Sequence, residues 1–232
     1  MSSYESNTVN ARNPIARYAH RNRIKRSVEL ACQKSGNGKV LDYGCGSGVF
    51  VREMNSFESG GGAVGYEPYM EERCQNGLPV YNHLEDIKKR GPFNLITLFE
   101  TIEHLSESEI EVFLDVCEEN LSELGGVLIS APIEIGPALI LKELNRSVFK
   151  FSRSEHTLLE FLKASIFGMA ARRTEHIKFS HKGFDFRQAI EFLKCKGWDV
   201  EILCYGPLPI ATWYGNSQVY LWVNKRIHTQ NL

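Results

Sequence analysis

VLDYGCGSGVF, residues 40–50, is the stretch that decides the fold. An apolar run ends in Asp42 and passes at once into glycines at alternate positions, Gly44, Gly46 and Gly48. Glycines so placed let the backbone turn sharply and approach a ligand with no Cβ in the way. The apolar run reads as a buried strand. The residues after Gly48 read as a helix whose N-terminus offers free N–H groups. A pyrophosphate loop has the spacing G-x-G-x-x-G, but here the third glycine comes one position early, and a carboxylate at 42 would repel a phosphate. Both facts weigh against a dinucleotide, with a glycine turn of some other nucleotide-binding fold as the alternative to a cofactor cradle. An amino-acid zwitterion, with its ammonium, is compatible with the acid.

Outward from the loop, strand and helix alternate. Strands are expected in KVLDYG (39–44), AVGYE (63–67), PVYNHL (79–84), FNLITLF (93–99) and GGVLISAP (125–132). Helices are expected in 15–36, ending near Gly36, in GVFVREMNSF (48–57), in PYMEERCQNG (68–77) and in 106–121, where Ser106 is the N-cap. This alternation predicts an α/β fold with a doubly wound, mostly parallel sheet. Right-handed crossovers then bring the loops after the strands to one carboxyl edge. That edge collects Asp42 to Gly48, Glu67, His83 to Asp86, and Phe99 to His104. From 134 to 180 the pattern breaks into two helices, EIGPALILKELNRSVFKF (134–151) and TLLEFLKASIFGMAARR (157–173), read as a helical cap insertion. RQAIEFLKCKGW is an amphipathic helix closed by Gly197. Two strands then follow with no helix between them, DVEILCYGPLP and SQVYLWVNK, so the last strand runs antiparallel. The expected organisation is one domain over 1–232: a tail and cover helix (1–36), a cofactor-binding core (37–133), the cap (134–180), and a C-terminal helix and hairpin (181–232).

The 232 residues are 43% hydrophobic and 24% charged, enough for a sizeable core. No apolar run approaches the roughly 18 residues of a membrane span, and no secretory h-region opens the chain. Six scattered cysteines without a C-x-x-C pair argue for reduced thiols and a cytoplasmic protein rather than a disulfide framework or a zinc knot. The net charge is −1, but residues 11–26 hold six Lys or Arg and no acid, and residues 142–182 hold nine against four acids. Solvated helix faces are the plainer account of these two basic segments, and an anionic partner is the alternative.

VLDYGCGSG resembles motif I of the class I S-adenosylmethionine-dependent methyltransferases, matching hydrophobic-hydrophobic-D/E-x-G-x-G-x-G at every position. GYEP (65–68) resembles the next motif, FNLITLFETIEHL (93–105) motif IV, and LSELGGVLISAP (121–132) the strand that follows it. The resemblance covers roughly 38–134 and 181–225 and lies nearest to bacterial small-molecule, sugar and ubiquinone-pathway O-methyltransferases. It implies a sheet of about seven strands and S-adenosyl-L-methionine as cofactor. Carried over, it sets Gly44, Cys45, Gly46 and Gly48 against the methionine part and Asp42 near its ammonium. Glu67 would hold the ribose hydroxyls, Leu84 and Glu85, beside His83, the adenine, and Phe99 and Glu100 the methionyl chain. Catalysis by Cys45 is not expected.

In FETIEHL, Glu100, Glu103 and His104 stand at i, i+3 and i+4, one face of a helical turn if one starts there. Glu103 and His104 are the catalytic candidates, with His104 as general base or polar pocket wall the more economical reading. A divalent cation on Glu100, Glu103 and His104 is the alternative. That pattern resembles metal-dependent RNA 2′-O-methyltransferases, in which a further histidine completes the site. Here His156, His176 and His181 are candidates for it, with no spacing rule to choose. The resemblance makes the N-terminal helix and the cap the covers of the acceptor pocket. Tyr18, His20 and Arg23 of the first cover, and Arg172 and His181 of the second, are the substrate-binding candidates, with Arg21, Arg146, Arg153, Arg173 and Lys178 nearby. The expected reaction is O-methylation of a small hydroxylated, sugar or nucleotide-sugar acceptor, as in polysaccharide or small-molecule biosynthesis. Metal-assisted RNA methylation and a non-catalytic cofactor-binding subunit are the alternatives, and nucleic acid is not the favoured partner. The Asn/Asp-Pro-Pro-Tyr/Phe signature of N-methylation is absent after strand four. The chain is expected to be a monomer or homodimer, and the 157–173 helix to pack over the site or between subunits rather than on a membrane surface.

Overall fold

The structure is a computed structural model that describes residues 14–57, 62–70, 77–149, 155–174, 177–178 and 180–226. Its elements are α1 (Pro14–Ser35), β1 (Val40–Tyr43), α2 (Val49–Ser56), β2 (Ala63–Tyr66), β3 (Val80–Tyr81), α3 (Leu84–Lys88), β4 (Phe93–Phe99), a 3₁₀ turn (Ile102–His104), α4 (Glu107–Asn120) and β5 (Leu121–Pro132). There follow α5 (Pro137–Phe149), α6 (Leu158–Phe167), α7 (Phe186–Cys195), β6 (Trp198–Gly206) and β7 (Gln218–Lys225). The seven strands form one sheet in the order β3-β2-β1-β4-β5-β7-β6. All neighbours are parallel except β7, which runs antiparallel to both β5 and β6.

Alternation along each strand divides the core between the two faces of the sheet. Leu41, Ile96, Leu98, Ile129 and Leu221 face one side, where Ile110, Phe113 and Cys117 of α4 and Ile190 and Leu193 of α7 cover them. Val40, Leu95, Leu128 and Tyr220 face the other, under Val28, Leu30 and Ala31 of α1 and Phe50, Val51 and Met54 of α2. Helix α4 begins as its sequence requires. The Ser106 hydroxyl accepts from the Glu109 N–H, and Glu109 reaches back to the Ser106 N–H, a reciprocal capping box.

Three expectations are revised. PVYNHL pairs only at Val80–Tyr81, because Leu84 already opens α3. The helix expected over 157–173 stops at Phe167, where Gly168 takes the left-handed conformation with φ 62°. Its apolar side is not spent on packing over the site. Ala164 and Ser165 are its buried residues, while Leu158, Leu159, Leu162, Ile166 and Phe167 are exposed. The helix expected over 68–77 falls largely on 71–76, outside the described residues.

One aromatic ring meets the cap just before its first helix and just after its second. Gly136 (φ 78°) and Gly168 (φ 62°) lie against Trp213, so that a Cβ on either would come within 2.8 Å and 2.7 Å of that ring. Gly168→Ala therefore meets both a left-handed backbone and a clash. It is expected to lower stability by roughly 1–3 kcal/mol, read as a lower urea midpoint with an unchanged slope.

Candidate functional site

The glycine loop is built as the sequence implies. Gly44, Gly46 and Gly48 have φ of 74°, 52° and 74°, values that favour glycine. The N–H groups of Gly44 and Cys45 donate to Tyr66 O at 2.8 and 3.1 Å, which ties the loop to the end of β2. Glu67 leans over it, accepting from the N–H of Gly46 at 3.0 Å and of Tyr69 at 3.2 Å. A Cβ on Gly46 would meet nothing within 4 Å, so the loop faces open space there. The Cys45 sulfur does not face it. A Cβ on Gly65 would lie 2.5 Å from that sulfur, so Cys45 packs under the loop, where burial drives its thiol far above the usual range. Its backbone borders the cradle, and its side chain packs toward Gly65.

Asp42 stands opposite Thr97 in the β1–β4 register and accepts a 2.7 Å hydrogen bond from the Thr97 hydroxyl. Burial pushes its carboxyl up to about 7, against the pull of that hydrogen bond and with a further push from Glu67. In its ionised form a carboxylate so buried is stabilised by a cation brought beside it. Further along the edge, Leu84 and Glu85 open α3, and the Phe99 ring packs edge-on to Phe50 at 4.8 Å.

The Glu100, Glu103 and His104 set does not assemble as a helical face. Glu100 ends β4 with φ 49°, a left-handed backbone that costs a non-glycine residue, and only Ile102–His104 form a turn. Glu100 is drawn the other way. Arg23 of α1 and Gln218 of β7 donate to its carboxylate, as does the Ser130 hydroxyl at 3.4 Å. In its place the fold brings His181. Glu103 Oε1, His104 Nε2 and His181 Nε2 converge, at 3.9 Å (Glu103–His104), 3.8 Å (Glu103–His181) and 3.2 Å (His104–His181). These residues could hold a metal ion. Glu103 is wholly buried, and neither carboxylate oxygen has a hydrogen-bond partner. Burial first, and the charge of Glu100 next, raise its carboxyl well above the usual range. Desolvation lowers the imidazole of His104, whose Nδ1 donates to Ile177 O at 2.9 Å and so leaves the Nε2 lone pair toward Glu103. His181 Nδ1 faces Glu134 Oε1 at 3.6 Å. Burial raises the Glu134 carboxyl, but the ammonium of Lys142 and the imidazole of His181 bring it down to about 2. Glu134, just past β5, carried no signal in the sequence beyond an acid at the mouth of the cap.

The other candidates scatter. His20 is buried with its Nε2 unpartnered, and its pKa is lowered by burial and then by Arg23. Arg23 is taken up by Glu100. Arg172 is exposed, while Arg173 donates to the Glu103 carbonyl and, at 3.2 Å, to that of Lys182. His156 lies 3.7 Å from Glu143 and does not join the cluster. His176, Arg153 and the side chains of Tyr18 and Arg146 fall outside the described residues.

A family profile described as "Methyltransferase domain" matches residues 15–188. The chain belongs to this methyltransferase family. No curated protein sequence matches it. Among solved structures, the methyltransferase is similar to the methyltransferase domain of a bacterial CtHen1, with 18% identity and a TM-score of 0.52 over 89% of this chain and 99% of that one. It is also similar to DhpI in complex with S-adenosylhomocysteine, with 14% identity and a TM-score of 0.50 over 97% and 94% of the chains. A third likeness is to a SAM-dependent methyltransferase of Archaeoglobus fulgidus, with 13% identity and a TM-score of 0.50 over 92% and 100%. At these identities the likeness is one of fold: a class I sheet with S-adenosyl-L-methionine as cofactor.

The loop suits that cofactor. Asp42 lacks a cation among the described residues and the cofactor brings an ammonium, the space over Gly46 is open, and the Glu67 oxygens retain acceptor capacity. If Asp42 meets the ammonium, only its ionised form attracts it. Cofactor affinity measured by calorimetry is then expected to fall as pH drops from about 8 to about 6, by up to about tenfold per unit below the Asp42 midpoint. Asp42→Asn is expected to flatten the profile, and a flat wild-type profile would separate Asp42 from the ammonium.

Proposed function

We propose that this methyltransferase O-methylates a small hydroxylated, sugar-containing acceptor, and that Glu103, His104 and His181 hold a divalent cation on the acceptor side of the cofactor. The observation that carries the reading is the convergence of two imidazole nitrogens on a fully buried carboxylate with no hydrogen-bond partner. A carboxylate so placed is costly unless a proton or a cation meets it. Ligand atoms of a tetrahedral site at about 2.1 Å lie roughly 3.4 Å apart, within the range of the three separations observed. Two imidazoles and one carboxylate suit zinc, cobalt or manganese.

The cofactor, when bound, supplies the reactive methyl group on its sulfonium. The chain's task is alignment and proton handling. Asp42, the glycine loop and Glu67 are proposed to hold the cofactor, with Phe99 bordering it. Glu100, anchored by Arg23 and Gln218, ties the cover helix to the sheet edge beside the proposed cofactor site. A bound cation supplies Lewis acidity toward an acceptor hydroxyl. The Nε2 lone pair of His104, oriented by the Ile177 carbonyl, is proposed as a ligand of that cation, and the acceptor hydroxyl, made more acidic by it, gives its proton to solvent.

The cations around the mouth support a small, uncharged acceptor over a nucleic acid. Lys142 is engaged by Glu134, Lys178 by Glu109 and Lys182 by Glu160, while Arg173 is spent on carbonyls. Among the described residues this leaves few cations to follow a phosphate backbone.

The test uses methyl-labelled cofactor and a cell extract divided into small-metabolite and RNA fractions. Label is expected in the small-metabolite fraction. Chelation is expected to abolish transfer, and added manganese, cobalt or zinc to restore it, with cofactor affinity unchanged. His104→Gln and His181→Gln are each expected to lose about a hundredfold or more in turnover. Transfer that survives chelation but not His104→Gln would leave His104 as a base without a cation, and label in RNA would overturn the acceptor.

A further inference from the structure

We infer that Glu134, braced from the cap by Lys142, is a positioning residue that turns His181 so that Nε2, rather than Nδ1, enters the cluster with Glu103 and His104. The inference rests on the reading of that cluster as a divalent-cation site.

His181 lies in an irregular stretch between α6 and α7, and its side chain is 39% exposed. An imidazole in such a place has a broad torsion about its ring, and either nitrogen can serve as a ligand. Something must choose. The only carboxylate on the Nδ1 side among the described residues is Glu134, 3.6 Å away, while Nε2 faces His104 and Glu103. That distance is slightly beyond a hydrogen bond, and a movement of a few tenths of an ångström closes it. Glu134 is itself immobilised. Lys142 of α5 donates to its Oε1 at 2.8 Å and to the carbonyl of Ile133 at 3.0 Å, so the side chain is only 10% exposed.

His104 is held by the same logic with a different partner, since its Nδ1 donates to the carbonyl of Ile177. Both imidazoles thus turn Nε2 inward while an oxygen occupies the outer nitrogen. An outer carboxylate fixes the tautomer and makes the ring a better donor, and losing such a partner commonly weakens metal binding about 10- to 100-fold. The arrangement also explains why an acid at the start of the cap, remote in sequence from both glutamates of FETIEHL, is buried and charge-paired. The first helix of the cap reaches the cluster through Lys142 and Glu134.

The test is cobalt binding to the full chain, followed by its visible absorption and by calorimetry. Wild type is expected to bind cobalt and His181→Ala to lose it. Glu134→Gln, which keeps the shape without the charge, is expected to bind about 10- to 100-fold more weakly with altered cobalt bands and unchanged cofactor affinity. Glu134→Asp, which keeps the charge one methylene further back, is expected to fall between the two, and it carries the test if the glutamine variant does not fold. Cobalt affinity within about twofold of wild type in folded Glu134→Gln overturns the inference and leaves the cation site standing. Failure of wild type to bind cobalt overturns the cation reading itself, and the inference with it.

Discussion

Parallel pairing of β1 with β2 and β4 is the constraint on which the rest of the structure depends. Val40–Asp42 lie beside Ala63–Gly65 on one side and Leu95–Thr97 on the other, all running the same way. Parallel neighbours need crossovers, and right-handed crossovers deliver every strand's end to one edge. The glycine loop, Glu67 and FETIEHL become neighbours for that reason alone. The same register sets Asp42 against Thr97, so one strand pairing both builds the sheet and supplies the hydrogen bond to the buried carboxyl.

Buried carboxylates with no cation beside them among the described residues stand out at two places. Asp42 and Glu103 are buried carboxylates whose burial raises both above the usual range. Neighbouring acids are treated differently. Glu100 is bound by Arg23, Ser130 and Gln218, and Glu134 by Lys142. The contrast separates acids paired with cations of the scaffold from acids without one among the described residues.

The cap contributes structure before it contributes charge. Gly136 and Gly168 lie against Trp213, and most cations at its mouth are paired with acids of the core or of the cap itself. Among the described residues of the two basic segments, Arg23, Lys142 and Lys178 pair with Glu100, Glu134 and Glu109, and Lys182 pairs with Glu160 of the cap.

The sequence by itself determined the sheet, the cofactor loop and the limits of most helices. Strand alternation, glycines at 44, 46 and 48, and the Ser106–Glu109 cap act over a few residues, so local pattern carries them. It also singled out Glu103 and His104. It misgrouped them with Glu100, because a spacing of three and four promises a shared face only where the backbone is helical, and Glu100 is left-handed. Only the tertiary structure brought His181, 77 positions beyond His104, to the cluster and put Glu134 behind it. Those contacts join segments on either side of the cap, and no local periodicity encodes where a loop of that length returns. Packing of the cap against the carboxyl edge decides it.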